Sequence, residues 1–238
     1  MIISFCFTIK ILNNKLDLNS YIKLIHTSIE YAKQHHIVKF YTDIETLSHL
    51  SISNVEVVLI DTSDFYFVDD FKIHLLSIIS DDEVLIDTDL FLFETLKLED
   101  NKDIYVDFRD NSKKYWYEEY IKWFLDNGID ELIPNFYTKD IVVPNIGILK
   151  IPNIKLKKEY IKLYYKIRKW AISKNINIDK GISIILGQYL LALLIDNKKY
   201  SISYCHKKNN HYIHLSGPLK FESNILDNII SIKNKKII

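Results

Sequence analysis

The first 95 residues alternate between short apolar runs and segments whose apolar residues recur at helical spacing. The runs predict four strands, and the two spaced segments, residues 18–36 and 69–80, predict helices between them. The strands are IISFCFTIKIL, IVKFYTD, VEVVLIDT and EVLIDTDLFLF. The predicted order, β-α-β-β-α-β, indicates an α/β sheet, and the strands are too continuously apolar for a sheet with one wet face.

The second half of the chain has a more mixed pattern. It predicts an aromatic-rich helix ended by Gly128, a long amphipathic helix over 154–175 and an apolar helix over 181–196. Short strands are expected at YVDF, on both sides of Pro144-Asn145, at KYSISYC and at HYIHL. With no linker or repeat in sight, the pattern predicts a single α/β domain over 1–238, with a mixed, mainly parallel central sheet flanked by helices.

Composition narrows the classes of partner. The 238 residues carry 31 basic and 31 acidic side chains, so no overall positive field attracts nucleic acid, and an anionic ligand must be held by a local site. Cys6 and Cys205 lie in apolar stretches and are expected to be buried thiols, which excludes a cysteine-based metal site. No stretch reaches the roughly 18 apolar residues of a membrane span, so a cytoplasmic protein without a transmembrane segment is expected.

Two carboxylates interrupt the last strand of the first half, in VLIDTDLFL. If Asp87 and Asp89 lie on one strand, they point to the same face and can meet one divalent cation, or a diphosphate bound through it. Oxygen ligands of this kind suit Mg²⁺ or Mn²⁺. The alternative is a solvated strand end whose acids cap the next turn.

A second candidate is HLSGPLK, which places His214, Gly217 and Lys220 at regular intervals. Imidazole is a ligand for a borderline metal such as Mn²⁺, glycine lets the backbone approach a phosphate, and lysine supplies a positive charge. The alternative is a core histidine, a turn glycine and a solvated lysine.

Two amides complete the candidates. Asn145, with Gly147, sits inside an apolar run, where its side chain can both donate to and accept from a hydroxyl group. Gln188 opens a very apolar helical segment. The alternatives are a Pro-Asn turn for the first and a satisfied polar residue at a helix start for the second.

The order of these motifs resembles that of the GT-A glycosyltransferases, and most of all glycosyltransferase family 8, over about residues 1–220. VLIDTDLFL, NIGILKI, GQYLLA and HLSGPLK stand where that family has its metal strand, its sugar-binding asparagine, its glutamine and its histidine-glycine-lysine motif. The resemblance implies that Asp87, Asp89 and His214 hold Mn²⁺ or Mg²⁺, and that Asp87, Gly217 and Lys220 contact the diphosphate. It also implies that Asn145 lies at the sugar and Gln188 beneath the reacting carbon.

The sequence departs from the family at three places. Gly187 stands where the family has an acid before its glutamine, and Phe221-Glu222 replaces a Pro-Trp pair. The family's arginine on the helix before the metal strand is absent, and Lys72 lies roughly there and can replace its charge. These departures affect the choice of donor and the acceptor side rather than the metal ligands.

The implied activity is transfer of a sugar from a nucleotide-diphosphate sugar, a UDP-sugar above all, to a hydroxyl of an acceptor glycan, with retention. Residues 1–95 would then be the nucleotide-binding half, 96–220 the acceptor-binding half and 221–238 a tail. Thr8 and Asp43, at strand ends, are candidates for the ribose and base. If the enzyme inverts instead, a carboxylate must activate the acceptor, and Asp107 or Asp110 is the candidate base.

Two other classes compete with this interpretation. A sugar-phosphate nucleotidyltransferase also uses paired acids and a metal, but the segment after the first strand, FTIKILNNKLD, lacks the glycines that cradle a triphosphate. A non-catalytic module of the same fold would bind a nucleotide or glycan without turnover. The three ligand-type residues favour an enzyme over such a module.

Overall fold

The computed structural model describes residues 1–11, 18–98, 101–109, 114–137, 141–174, 182–183, 185–207, 212–215, 225, 227–229 and 231. The chain divides into two compact units. The first comprises Met1–Ser63, Asp82–Lys97 and Asn209–Ile238, and the second comprises Asp64–Asp81 and Leu98–Lys208.

The first unit contains a parallel sheet built from the predicted strands. Its strands lie in the order β3-β2-β1-β4, and α1 (Leu18–Ala32) and the short α2 (Ile44–Leu47) follow β1 and β2. The strands are β1 (Ile2–Phe7), β2 (Ile37–Thr42), β3 (Glu56–Leu59) and β4 (Glu83–Ile86). Ile3, Phe5, Phe40 and Val84 are fully buried, which explains the continuously apolar strand sequences.

The strand predicted to run from Glu83 through the acid pair is in fact two strands, and that prediction is wrong. The chain turns after β4, with Leu90 N donating to Asp87 O at 3.1 Å. It then enters β5 (Leu90–Leu92), which pairs antiparallel with β9 (Tyr212–His214) in a separate two-stranded sheet. A continuous strand would have carried both carboxylates into the sheet at a high desolvation cost, whereas the turn places them at its end.

The second unit has a three-stranded part with β6 (Ile104–Val106) in the middle. β6 is parallel to β8 (Ile202–Tyr204) and antiparallel to β7 (Ile148–Lys150). Its helices are α3 (Val68–Ile78), α4 (Lys114–Asp126), α5 (Ile154–Ser173) and α6 (Leu190–Lys198). Parallel pairs thus predominate, and the predicted mixed α/β fold with a mainly parallel sheet is confirmed.

Two details of this unit differ from the predicted elements. Within the described residues 141–151, β7 is the one strand, and the part before it makes a single bridge, between Arg109 and Pro144. The predicted apolar helix changes geometry: a π-helical turn, Ile185–Tyr189, precedes α6. Gly128 ends the α4 region as predicted, and its φ of 82° is the conformation that favours glycine.

The cysteines and the helices bear on two further expectations. Both cysteines are thiols; Cys205 is buried as expected, and its burial raises its pKa to about 12, whereas Cys6 is only partly buried. No helix in the described ranges is long and apolar enough to cross a membrane.

Candidate functional site

Three metal-ligand side chains of the first unit converge. One ligand atom from each of Asp87, Asp89 and His214 lies within 4.8 Å of the other two. His214 Nε2 is 3.3 Å from Asp89 Oδ1 and 3.8 Å from Asp87 Oδ2. The three residues singled out from distant motifs are therefore brought together, while their role as ligands stays a prediction.

Backbone hydrogen bonds place these side chains. The Asp87–Leu90 turn brings the two carboxylates together without a shared strand face. In the β5–β9 pair His214 stands opposite Leu90, and Leu215 N donates to Asp89 O at 3.0 Å. The ligand geometry thus follows from a tight turn and an antiparallel register.

An apolar cluster packs against the β5–β9 pair. Its buried members are Leu24, Tyr31, Phe91, Leu215 and Ile229. Tyr31 meets Phe91 edge-on, with ring centroids 6.2 Å apart, and its hydroxyl donates to Ile229 O at 2.6 Å. Ser28 on α1 donates its hydroxyl to Leu90 O, which anchors β5 directly beside the acids.

The donor set fits a divalent cation. The side chains of Asp89 and His214 are 10% and 7% exposed, whereas that of Asp87 is 35% exposed. Two carboxylates this close repel each other, and a cation between them would offset both that repulsion and the cost of burying Asp89. Oxygen ligands combined with one imidazole suit a borderline ion such as Mn²⁺.

Thr8 and Asp43 lie at the ends of β1 and β2, as the strand-end argument requires. Asp43 caps α2, accepting from Thr46 N at 2.8 Å and from Thr46 Oγ1 at 2.9 Å. Burial raises the pKa of Asp43, but hydrogen bonds from Thr8 and Thr46 outweigh it and hold the pKa below its usual value. Both residues therefore have structural roles, and their contact with a nucleotide stays a prediction.

Thr62 is a polar residue at the same kind of place that the predicted site residues do not include. It follows β3 by three residues and is 1% exposed, and its hydroxyl has no hydrogen-bond partner within the described part of the chain. A buried hydroxyl without a partner is uncommon in proteins and calls for an explanation. The strand-end rule that selected Thr8 and Asp43 points to Thr62 as well.

In the second unit, three predicted residues are connected through the backbone. Lys72, 6% exposed on α3, donates its ammonium to Ile146 O at 2.8 Å. The adjacent Asn145 accepts from Gly147 N with its side-chain oxygen at 2.8 Å, and its carbonyl accepts from Asp107 N at 3.1 Å. Asp107 is fully buried.

Gln188 lies within the π-helical turn and is half-buried. Its Oε1 accepts from the hydroxyl of Tyr117 on α4 at 3.1 Å. The preceding Gly187 lies against Asp69 of α3, a residue that the sequence motifs do not single out. Gly217, Lys220 and Asp110 lie outside the described residues.

Comparison with solved structures finds proteins of similar fold. The structure is similar to galactosyltransferase LgtC in complex with donor and acceptor sugar analogs, with a TM-score of 0.50 and 11% identity, covering 97% of this chain and 95% of that chain. It is also similar to glycosyltransferase GlyE of Streptococcus pneumoniae TIGR4, with a TM-score of 0.46 and 15% identity, covering 85% of this chain and 44% of that chain. No protein-family model and no curated protein matches the chain. At this identity the likeness concerns the fold, and the predicted GT-A fold is confirmed.

Proposed function

We propose that this protein is a metal-dependent glycosyltransferase that moves a sugar from a nucleotide-diphosphate sugar, first of all a UDP-sugar, to a hydroxyl of an acceptor glycan. The observation that carries this proposal is the cluster of Asp87, Asp89 and His214, set at the carboxyl end of β4 in a GT-A fold. Ligands of open α/β sheets bind beyond the carboxyl ends of the strands. The cluster has the donor atoms for Mn²⁺ or Mg²⁺ at that end.

The first unit is assigned to the nucleotide and its diphosphate. A divalent ion held by the three ligands would supply positive charge to the leaving diphosphate. Gly217 and Lys220 are proposed to contact the same group, by resemblance to family 8. Thr8, Asp43 and Thr62 follow β1, β2 and β3, and a ribose hydroxyl or base edge would give the hydroxyl of Thr62 a partner, which it lacks in the described part of the chain.

Gln188 and Asn145 are proposed to contact the sugar, by resemblance to family 8. The hydroxyl of Tyr117 donates to Oε1 of Gln188 and so orients the amide, whose nitrogen can donate to a ligand. Lys72 fixes the Ile146 carbonyl, and the side chain of Asn145 folds back onto Gly147 N, so the segment that carries Asn145 is held in one conformation. Such preorganisation reduces the entropy lost when substrate binds.

Retention is favoured over inversion. An inverting enzyme needs a carboxylate that reaches the acceptor hydroxyl. Asp107, the candidate base within the described residues, is 0% exposed. Together with the resemblance to family 8, this burial leads us to propose transfer with retention, without Asp107 as a base.

The test is thermal stabilisation by UDP, GDP, CMP and ADP, each with and without Mn²⁺, followed by UDP release from UDP-sugars. A ligand that binds only the folded state raises the melting temperature. We expect a Mn²⁺-dependent shift with UDP that is lost in Asp89→Ala and His214→Ala and kept in the exposed control variants Asp196→Ala and His49→Ala. The absence of a shift with every nucleotide would refute the proposal, and a shift without turnover would indicate a binding module.

A further inference from the structure

The carboxylate of Asp69 occupies the space into which a side chain at residue 187 would project. A Cβ atom at Gly187 would lie 2.7 Å from Asp69 Cγ and 3.4 Å from Asp69 Cβ, and nearest of all to Oδ2. The optimal separation between non-bonded carbon atoms is about 3.5–4.0 Å. No residue other than glycine therefore fits at 187 while Asp69 keeps this position. Gly128, and not Gly187, has a positive φ, so Gly187 is required for space rather than for its backbone conformation.

Both sides of this contact are fixed by buried groups. Asp69 N donates to Ser183 Oγ at 3.1 Å, and the carbonyl of Gly187 accepts from the hydroxyl of Tyr160 at 2.8 Å. Tyr160 is fully buried, and burial together with the negative charge of Asp69 raises the pKa of its hydroxyl well above the usual value. The hydroxyl of Tyr160 therefore stays protonated and keeps donating to Gly187.

The neighbouring acid on α3 is committed to structure. Asp70 accepts from the hydroxyl of Tyr164 and Nε of Arg168 with one oxygen, and from Tyr66 N and Phe67 N with the other. Asp70 is 1% exposed, whereas Asp69 is only partly buried. The carboxylate of Asp69 lies against Gly187, the residue that precedes Gln188 in the π-helical turn.

We propose that Asp69 binds a hydroxyl group of the transferred sugar beside Gln188, and that residue 187 is glycine so that this carboxylate can lie there. The inference rests on the proposed function and adds a specificity-determining residue to it. A carboxylate next to an amide nitrogen pairs an acceptor with a donor, which is the combination that reads a sugar hydroxyl. The family that the sequence resembles carries an acid at position 187, so here α3 would supply the carboxylate that the π-helical turn lacks.

The assignment is tested by removing the carboxylate at residue 69 and by introducing one at residue 187. The variants are Asp69→Ala, Asp69→Asn, Gly187→Ala and the double variant Asp69→Ala with Gly187→Asp. In each we measure the melting temperature with Mn²⁺ alone, with Mn²⁺ and UDP, and with Mn²⁺ and UDP-glucose or UDP-galactose, together with kcat/KM for UDP release. The shift by UDP reports nucleotide binding, and the additional shift by the UDP-sugar reports sugar binding.

We expect every variant to keep the UDP shift. The three single variants should lose the additional shift and about 10–100-fold in kcat/KM, the size of a hydrogen bond to a charged group. The double variant should regain at least part of both, which a purely structural role of Asp69 would not allow. Asp69→Asn keeps the size of the side chain, so its loss cannot come from a collapsed cavity.

The outcomes separate the two levels of inference. No UDP shift in the wild type would refute a UDP-sugar donor and, with it, the role of Asp69 in binding the sugar of that donor. A normal UDP shift with the additional shift unchanged in Asp69→Ala and Asp69→Asn would overturn the role of Asp69 alone. A double variant no better than Asp69→Ala would likewise overturn it, because the carboxylate would then act by holding the fold.

Discussion

Nε2 of His214 lies 3.3 Å from Oδ1 of Asp89. The backbone hydrogen bonds that hold the two segments together involve neither side chain. Leu215 N donates to Asp89 O, and His214 stands opposite Leu90 in the antiparallel register. Removing one ligand should therefore leave the β5–β9 pair in place, so that ligand variants report on metal binding rather than on folding.

Metal removal should lower stability only while the ligand set is intact. Addition of EDTA to the Mn²⁺-loaded wild type is expected to lower its melting temperature, because the folded state loses a ligand. His214→Gln should show at least about a tenfold weaker Mn²⁺ affinity and little response to EDTA, since loss of one ligand of a chelating set costs more than 1.4 kcal/mol. The exposed His49 provides the control His49→Gln. An equal EDTA response in both variants would contradict the assignment.

The hydroxyls of Thr62 and Thr42 should respond in opposite ways to replacement by valine. Thr42 donates to Phe7 O at 2.9 Å, so Thr42→Val should lower the free energy of unfolding by about 1 kcal/mol. The Thr62 hydroxyl has no partner among the described residues, so Thr62→Val should be neutral or stabilising in the free protein. If Thr62 binds the nucleotide, the same variant should lower the affinity for UDP, which titration calorimetry would measure. Unchanged UDP affinity would remove Thr62 from the nucleotide site.

The ion pair between Asp70 and Arg168 should matter far more than an exposed pair of the same unit. Arg168 Nε lies 2.7 Å from Asp70 Oδ1, and the Asp70 side chain is 2% exposed. Asp70→Ala leaves the buried hydroxyl of Tyr164 and the partly exposed guanidinium of Arg168 without this acceptor, so we expect a loss of about 3 kcal/mol in urea unfolding. Asp126, 58% exposed and paired with Lys122, is the control, and Asp126→Ala should cost no more than about 0.5 kcal/mol. Similar losses in the two variants would contradict this account.

His36 should make stability fall as the pH decreases from about 6.5 towards 4. Burial, and to a lesser extent the charge of His35, lowers the pKa of His36 to about 4, and its neutral Nε2 accepts from Leu96 N at 3.0 Å. The unfolded chain binds a proton at higher pH than the folded one, so folding loses stability through this window. Because the ring is partly exposed and screened, we expect an effect of the order of 1 kcal/mol. Urea unfolding from pH 7 to pH 4.5 measures it.

His36→Gln should flatten that pH dependence, whereas His35→Gln, at an exposed neighbour, should leave most of it in place. Equal slopes in the wild type and in His36→Gln would show that other groups set the acid response.

Local pattern was sufficient to predict most of the elements and to single out the three residues of the candidate metal site. β1, α1, α3 and α5 follow from apolar periodicity, and Asp87, Asp89 and His214 were recognised by residue type and order along the chain. The break after Ile86 was not predictable in the same way. The residues on both sides of the acid pair are equally apolar, so periodicity cannot show that the chain leaves one sheet and enters another.

The contact between Asp69 and Gly187 was hidden for a different reason. In the sequence, Gly187 was notable only because it stands where the similar family has an acid. Asp69 was notable only as one of the acids at the start of a predicted helix. Their relation depends on how α3 packs against the π-helical turn, which no local pattern encodes. The contacts proposed for Gly217 and Lys220 stay predictions.

The candidate metal ligands come from two segments, 82–97 and 209–238, between which the chain runs through residues 98–208 of the second unit. An ion bound to all three would act as a reversible cross-link between segments that are more than a hundred residues apart in the chain. Bound metal would then restrain β9, so that a slower rate of protease cleavage after β9 would report that the ion is bound.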